Sequence, residues 1–349
     1  MYTPQFTITP QVANDIVEIE GIRTLVEQSK ILPEQEIALR YRATVEAVHS
    51  STTIEGNPLN KRQVEAVLAG KEVAQGEYAI LEVKNYKRAL DWLEKRRLRS
   101  QPISVKDVLT LHSITMDGLL PKKKVGHLRF GAVYIVDILG EKEKVRYVGP
   151  EAGELEGLLT ELFAWLRKKA SELPPVLAAS ILHYEFVSIH PFSDSNGRVT
   201  RLLTMLYLSL KDYDFRNVLV PDIYYLEHRL EYHNALNQAK TYSEQRVADL
   251  TSWVEYFVKG FLSVAKKLKA EILVAGVPSH IEGVIRLSKQ ELTMLDYVKR
   301  MGSLSLEETL DILSVPRRTA QRRLKELVDK RLLQTKGSGK TTVYILPTN

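Results

Sequence analysis

The stretch HPFSDSNGRVTR, residues 190–201, interrupts two long helical patterns and decides how the whole chain is interpreted. Amphipathic helical spacing lies on both sides of it, at 175–189 and at 198–212. Asn196 and Gly197 are poor helix formers and favour a turn between the two helices. A turn that leads into a helix presents free backbone N–H groups, which can bind an anion. The stretch therefore predicts a binding or reactive loop.

The side chains of this stretch suit phosphate chemistry. Arg198 and Arg201 stand three residues apart, so they share one helix face and can match phosphate oxygens. Asp194 offers a carboxylate of the kind that binds Mg²⁺ together with substrate phosphates. His190 can accept a proton from an incoming nucleophile. The pattern indicates a phosphate site with a base beside it, against the simpler alternative of a helix cap and an Asn-Gly turn.

Composition is typical of a globular protein of about two domains. The chain has 349 residues, of which 44% are hydrophobic and 26% are charged. It has no cysteine, which excludes disulfides and cysteine-bound zinc. Its first residues lack the pattern of a secretion signal, and the apolar stretch before the motif is too short and too polar to span a bilayer. We therefore expect a cytoplasmic protein that does not enter a membrane.

Helical periodicity dominates the chain up to the segment 273–286, where Gly and Pro predict a linker. One earlier region, 132–150, has two β-rich runs around Gly140, which predict a hairpin. A lone hairpin has no sheet to join, so we expect it to project over a surface. The fold class is therefore mainly α, a helical bundle with a β-hairpin flap. Helices are expected at 35–56, 78–97, 105–120, 155–170, 175–189, 198–212 and 250–273.

The segment 287–349 predicts a winged helix-turn-helix, with three helices and a terminal pair of strands. It holds twelve Lys and Arg residues against seven Asp and Glu, so most of the chain's net charge of +6 lies there. Such asymmetry suits duplex DNA, although winged helices also serve as protein-docking or dimerisation modules. The side chains expected to face DNA lie in the first turns of the third helix: Arg317, Arg318, Gln321 and Arg322.

Residues 190–201 resemble the motif HPFx(D/E)GNGRxxR of the Fic (Fic/Doc) family, and the resemblance covers roughly residues 40–265. It implies transfer of AMP from ATP to a hydroxyl group of a target protein. By this resemblance His190 is the general base and Asp194 binds Mg²⁺ between the α- and β-phosphates, with Phe192 buried below the loop. The nucleotide-binding residues that it implies are Ser195, Asn196, Gly197, Arg198, Arg201, Tyr232, His233 and Leu236.

One position departs from that motif, since Ser195 stands where the family has glycine. If this position needs a positive φ, a serine there costs roughly 1 kcal/mol. Its side chain either crowds the phosphate path or adds a donor. The identity of the nucleotide and the rate therefore stay open.

A second resemblance concerns SSTTIEGN, residues 50–57. Alone it predicts a helix that ends at Gly56. Beside a Fic core it resembles the family's inhibitory motif (S/T)xxxE(G/N), which Ser51, Glu55 and Gly56 match. The resemblance implies that Glu55 pairs with Arg201 where the γ-phosphate would bind, so that ATP adopts a non-reactive pose.

Together the two resemblances imply a magnesium-dependent protein adenylyltransferase that modifies itself and an unknown target. They also imply that the protein inhibits itself, and a homodimer is a further expectation. Two alternatives stay open: a DNA-binding regulator with a sensory Fic core, and a hydrolase that removes AMP. The expected domains are an N-terminal helical region with the inhibitory helix at 1–100, the Fic core at 101–272, the linker at 273–286 and the winged helix-turn-helix at 287–349.

Overall fold

The computed structural model describes residues 2–139, 142–275, 287–337, 339 and 342–347. Helices dominate these residues, so the fold is mainly α as the sequence predicts. The helices are α1 (Pro10–Gln28), α2 (Pro33–Ile54), α3 (Lys61–Leu68), α4 (Glu77–Arg97), α5 (Val105–Thr115), α6 (Leu155–Lys168), α7 (Pro175–Ile189), α8 (Asn196–Leu210), α9 (Asp222–Glu227), α10 (Arg229–Leu236), α11 (Tyr242–Gln245), α12 (Thr251–Ala275), α13 (Lys289–Met301), α14 (Leu306–Leu313) and α15 (Arg317–Asp329). The strands are β1 (Tyr134–Leu139), β2 (Lys142–Val148), β3 (Leu304–Ser305), β4 (Gln334–Lys336) and β5 (Val343–Ile345).

Helices α7 and α8 form the centre of the bundle and pack against each other. Nearly every residue of α7 is buried, its polar side chains included, so the amphipathic pattern expected at 175–189 does not leave one face of the helix exposed. Helices α6 and α12 pack on α7, while α4 and α5 pack on α8. The loop that joins α7 to α8 is therefore held by a surrounding scaffold, and this loop, residues 190–195, is the first half of the 190–201 stretch.

Helix α2 brings a distant part of the sequence to this loop. It packs against α4, α8 and α9 and ends at Ile54. Gly56 follows with φ of +98°, a conformation that costs little for glycine and more for any residue with a side chain. The helix end predicted at Gly56 is therefore present, and it leaves Glu55 at the exit of the helix.

The predicted hairpin is present as an antiparallel pair of strands. Its pairing runs from Tyr134 opposite Val148 to Leu139 opposite Lys142. The backbone N–H of Val148 donates to the carbonyl oxygen of Lys240 at 2.9 Å, which fixes the base of the hairpin to the segment after α10. Residues 140–141, at the predicted turn, lie outside the described residues.

The C-terminal unit has its own small core, formed by α13, α14 and α15. Its strands form a sheet in the order β3-β5-β4, so β3 adds one strand to the predicted terminal pair. The same core includes Ile37 of α2, which joins this unit to the bundle. Of the predicted linker, residues 273–275 continue α12, and residues 276–286 lie outside the described residues. None of the described helices is both long enough and apolar enough to cross a bilayer.

Candidate active site

The loop between α7 and α8 has an unusual backbone that its own side chains hold in place. His190 and Ser195 both adopt left-handed conformations, with φ of 49° and 65°. The side-chain oxygen of Asn196 accepts from the backbone N–H of Phe192 at 2.9 Å, and its amide donates to the carbonyl of Phe192 at 2.8 Å. Because Ser195 has a positive φ, the cost of roughly 1 kcal/mol expected for a serine at this position applies.

Phe192 anchors the loop from below. It is fully buried, and its ring stacks on His112 of α5 with centroids 3.9 Å apart. The Nδ1 atom of His112 accepts from the backbone N–H of Gly126 at 2.9 Å. Burial lowers the pKa of His112 to about 4, so the ring is neutral at neutral pH and packs like an apolar aromatic. His112 was not predicted from the sequence, because no pattern in the chain links it to the motif.

His190 closes α7, and its imidazole has a defined tautomer. Its Nδ1 lies 3.1 Å from the carbonyl oxygen of Val187. A carbonyl only accepts, so Nδ1 carries the proton and Nε2 keeps its lone pair. Burial lowers the pKa of His190 to about 4, so the imidazole is neutral at neutral pH. The Nε atom of Arg129 donates to the carbonyl oxygen of His190 at 2.9 Å and fixes the backbone here.

Arg198 is buried between two carboxylates. It donates to Glu82 of α4 and, at 3.1 Å, to Asp194. Burial raises the pKa of Glu82, and the charge of Arg198 opposes that rise. The amide of Asn57 donates to the other oxygen of Glu82 at 2.5 Å. Neither Glu82 nor Asn57 was identified from the sequence, although Asn57 lies directly after the predicted inhibitory motif.

Arg201 is almost completely buried and is held mainly by the end of α2. Its Nε donates to Ser51 Oγ at 2.6 Å, and its Nη2 donates to Ser51 O and Glu55 Oε1, both at 2.8 Å. Burial acts to raise the pKa of Glu55, but Arg201 and Arg198 together hold that pKa below its ordinary value. Asp222 of α9 lies 3.6 Å from Arg201 Nε, and burial raises its pKa to about 6.

Gly197 shows why the motif has no side chain at this position. A Cβ atom added there would overlap Glu55 Oε1 and would lie 3.1 Å from Arg201 Nη1. The group that lies closest to Gly197 is therefore the Glu55 carboxylate. Space, rather than backbone conformation, requires glycine here, because Gly197 lies within the first turn of α8.

Three of the expected nucleotide-binding residues, Tyr232, His233 and Leu236, lie on α10 and separate into two environments. Tyr232 is buried, and its hydroxyl lies 2.8 Å from His183 Nε2. His233 and Leu236 line a cleft of about 100 Å³ together with residues of β1, β2 and α7. The cleft therefore lies between the base of the hairpin and α10, next to the helix that His190 terminates.

Asp194 is the carboxylate within the loop that could bind magnesium. Among the described residues, no group of three or more histidine, aspartate and glutamate side chains could hold a metal ion by itself. The Asp194 side chain is 44% exposed and uses one oxygen for Arg198. Mg²⁺ is commonly bound by one or two carboxylates, with substrate phosphates and water supplying the other oxygens. Asp194 fits that arrangement.

The four residues expected to face DNA lie far along the chain from this site. Arg317, Arg318, Gln321 and Arg322 are all exposed on the first turns of α15. Arg322 lies 3.7 Å from Glu326 on the same helix. The structure therefore leaves these side chains in contact with solvent.

The fold and the site together define a helical protein in which a loop leads into a helix N-terminus that can bind an anion. The neutral His190 begins this loop. Residues 102–208 match the sequence model of the Fic/DOC family, so the chain contains a Fic/DOC-family domain. The match includes the whole of the loop and most of α8.

Two curated relatives are named protein adenylyltransferase Fic. The one from Aedes aegypti is 28% identical over 201 residues, which cover 56% of this chain and 37% of that protein. The one from Drosophila virilis is 32% identical over 177 residues, which cover 49% of this chain and 34% of that protein. The chain therefore spans about a third of the length of the curated relatives it matches.

Two solved structures resemble the fold. A Fic family protein from Desulfovibrio desulfuricans G20 has a TM-score of 0.63 and 26% identity, covering 100% of this chain and 99% of that chain. A Fic domain containing signaling protein from Bacteroides thetaiotaomicron has a TM-score of 0.59 and 20% identity, covering 76% of this chain and 100% of that chain. The first likeness extends over the C-terminal unit as well as the bundle.

Proposed function

We propose that the chain transfers AMP from ATP to a hydroxyl side chain of a target protein and of itself. The loop geometry supports this activity, because a neutral imidazole and the N-terminal end of α8 meet at one place. The names of the curated relatives favour the same reaction. The single observation that carries the proposal is that His190 presents an unprotonated Nε2 beside a helix N-terminus suited to phosphates.

In the reaction, the target hydroxyl oxygen attacks the α-phosphorus of ATP, and the bond from that phosphorus to pyrophosphate breaks. His190 accepts the hydroxyl proton at Nε2. The free backbone N–H groups at the start of α8, with Arg198, stabilise the phosphate charge that develops. Bound at Asp194, Mg²⁺ would neutralise phosphate charge in the same place. His233 and Leu236 would contact the adenine, and β1 and β2 would dock the target segment by strand addition.

We further propose that Glu55 inhibits this reaction. Glu55 occupies one Nη2 hydrogen bond of Arg201, which the γ-phosphate would otherwise accept. Ser51 holds the same guanidinium through its hydroxyl and its carbonyl oxygen, so Arg201 remains oriented when Glu55 moves away. Loss of the Glu55 carboxylate should therefore free a guanidinium that is already in position.

Labelling with ATP that carries ³²P at the α-phosphate tests both proposals. We expect Glu55→Gly to increase self-labelling well above wild type, and His190→Ala in the same background to abolish it. Glu65→Gly, at an exposed position on α3, is the matched control and should label like wild type. Equal labelling by wild type and Glu55→Gly would refute the inhibition, and labelling that survives His190→Ala would refute the role of the base.

Two variations of this experiment separate the alternative reactions. With ATP that carries ³²P at the γ-phosphate instead of the α-phosphate, label on the protein would show kinase-like transfer. Loss of label from a protein labelled beforehand, when wild type is added, would show AMP removal. The homodimer stays a prediction.

A second proposed function is duplex DNA binding by the C-terminal unit as a winged helix. The exposed first turns of α15 favour it, because Arg317, Arg318 and Arg322 all reach solvent on this helix. We expect the full chain to bind duplex DNA with affinity that falls steeply as salt rises. Arg317→Ala combined with Arg318→Ala should weaken binding and reduce the salt slope by about two. Binding that is absent at low salt, or unchanged in the variant, would reject this proposal.

A further inference from the structure

A cleft of about 280 Å³ adjoins the loop between α7 and α8. Residues between 124 and 133, just before the hairpin, form most of its wall, and Ser193 of the loop completes it. Two hydrogen bonds of 2.9 Å join this wall to the loop: the backbone N–H of Arg129 donates to the carbonyl oxygen of Pro191, and Arg129 Nε donates to that of His190. The cleft is therefore fixed next to the start of the loop, where His190 lies.

The segment that forms this cleft is basic. Residues 121–133 carry three consecutive lysines, 122–124, and Arg129, but no Asp or Glu. The three lysines are exposed, and none of them has an ion-pair partner among the described residues. Arg129 is 7% exposed, and its guanidinium donates to backbone carbonyl oxygens instead of a carboxylate. The cleft therefore has an excess of positive charge and attracts acidic groups.

Phe130 adds an apolar side chain to the same surface. It lines the cleft and is 81% exposed, more than any other large hydrophobic residue of the described chain. Aromatic side chains are enriched in protein interfaces, where they bury apolar area that the free chain leaves in water. An exposed phenylalanine beside unpaired cations favours a polypeptide partner that is both acidic and apolar over a small free anion.

The free edge of the hairpin leads directly to this cleft. The outer edge of β2 is occupied at its base, since Val148 pairs with the segment after α10. Among the residues that the structure describes, no strand pairs with the outer edge of β1. Strand β1 begins at Tyr134, directly after Val133 of the cleft. A target strand that adds to β1 would therefore reach the cleft at one end.

We propose that residues 122–133 form a docking surface for an acidic segment of the target protein, so that the enzyme selects hydroxyl groups with Asp or Glu nearby in the target chain. The lysines at 122–124 pair with the carboxylates, and Phe130 contacts an apolar side chain beside them. This inference rests on the proposed AMP transfer, because it concerns the substrate of that reaction.

Binding of two synthetic peptides to the full chain tests the docking surface without catalysis. The acidic peptide has a central threonine between valines, with Asp and Glu on both sides, and the neutral peptide has Asn and Gln in their places. Each carries an uncharged dye, and fluorescence anisotropy gives the Kd. At low salt we expect the acidic peptide to bind on the order of tenfold more tightly, a preference that declines as salt rises because exposed charges are screened. Equal affinities, or binding of neither peptide, overturn the proposal.

Two charge-matched variants separate this surface from general attraction by a basic protein. The first combines Lys122→Gln, Lys123→Gln and Lys124→Gln, and the control combines Arg167→Gln, Lys168→Gln and Lys169→Gln. The control residues are an exposed run at the end of α6, near the start of α7, whereas the loop follows the end of α7. We expect the first variant to bind the acidic peptide as weakly as the neutral one, and the control to bind it like wild type. Equal losses of affinity in both variants would contradict a specific docking surface.

Phe130→Ala tests the apolar contact, and its exposed position makes misfolding no concern. It should weaken binding of both peptides severalfold and leave the salt dependence of the acidic peptide unchanged, because no charge is removed. Unchanged affinity for both peptides would remove Phe130 from the proposal.

Self-labelling of Glu55→Gly by ATP with ³²P at the α-phosphate reports AMP transfer separately. Selective binding of the acidic peptide without self-labelling would reject AMP transfer and keep the docking surface. Self-labelling without selective binding would reject the docking surface alone.

Discussion

Helices α8 and α15 both carry arginines in their first turns, yet they place them in opposite environments. Arg198 and Arg201 of α8 are 4% and 1% exposed, and carboxylates from α4, α9 and the end of α2 surround them. Arg317 and Arg318 of α15 are exposed on the surface of the C-terminal unit. The residue type is the same, so the difference comes from the elements that cover each helix.

The difference matters because burial changes how much stability is lost when one partner of an ion pair is removed. A buried pair is expensive to break by removing one partner, whereas an exposed pair contributes little and is screened by salt. The arginines of α8 are therefore held in fixed positions by their partners, whereas Arg317 and Arg318 of α15 are exposed to solvent. Four measurements test this contrast.

The largest expected effect is on Arg198. Glu82→Ala leaves the charge of Arg198 buried without its main partner, so the free energy of unfolding should fall by about 3–5 kcal/mol. Urea unfolding measures the change. Glu65→Ala, at an exposed position on α3, is the matched control and should change stability by less than about 0.5 kcal/mol. Equal losses of unfolding free energy in the two variants would show that the buried pair of Glu82 and Arg198 does not stabilise the fold.

The next effect concerns pH and Asp222, which shares Arg201 with Glu55. Burial raises the pKa of Asp222 to about 6 in the folded protein, against about 4 in an unfolded chain. Between these values the folded state keeps a proton that the unfolded state has lost, so stability contributed by Asp222 falls as pH rises from about 4 to about 6. Asp222→Asn should flatten the curve of unfolding free energy against pH in this window.

Asp329→Asn is the control for that curve, because Asp329 lies exposed at the end of α15. It should retain the wild-type slope between pH 4 and 6. A wild-type slope in Asp222→Asn as well would mean that Asp222 does not titrate in this window.

A smaller effect is expected at Gly197. Gly197→Ala should cost about 1–3 kcal/mol in wild type, because the added Cβ overlaps the Glu55 carboxylate. In the Glu55→Gly background the same substitution should cost much less, since most of the overlap is gone and alanine is the better helix former. A double-mutant cycle of unfolding free energies gives the coupling. If the effects of Gly197→Ala and Glu55→Gly on the unfolding free energy are additive, the added Cβ does not clash with Glu55.

The smallest effect is expected on α15. Arg317→Ala and Arg318→Ala should each change the free energy of unfolding by less than about 0.5 kcal/mol, because both side chains are exposed. Thermal unfolding of the two variants beside Glu82→Ala gives the comparison. A loss near that of Glu82→Ala would mean that these arginines pack structurally, and the contrast between the helices would not hold.

Much of the fold followed from helical spacing. The predicted helices around the motif correspond to α7 and α8, and the helix end at Gly56 is where the sequence places it. Helix α1 was missed, although Thr9 and Pro10 form a recognisable helix start. The predicted helix at 105–120 ends at Thr115, with Met116 as its C-cap.

The site was predicted in part. The contact between Glu55 and Arg201 that the resemblance implied is present, at 2.8 Å, while its inhibitory effect stays a prediction. Glu82, Asp222 and His112 were not predicted, because they lie on other helices and belong to no local motif. Their spacing along the chain carries no information about the packing of α4, α5 and α9 against α8.

The sequence by itself determined the local features: a loop between two helices, the residue types that suit phosphate, and a helix end at Gly56. Each depends on neighbours within a few residues, where backbone geometry fixes what is possible. Only the tertiary structure decided which carboxylate faces which arginine and which tautomer His190 adopts. Those outcomes depend on burial and on contacts between distant segments, and both exist only once the helices have packed.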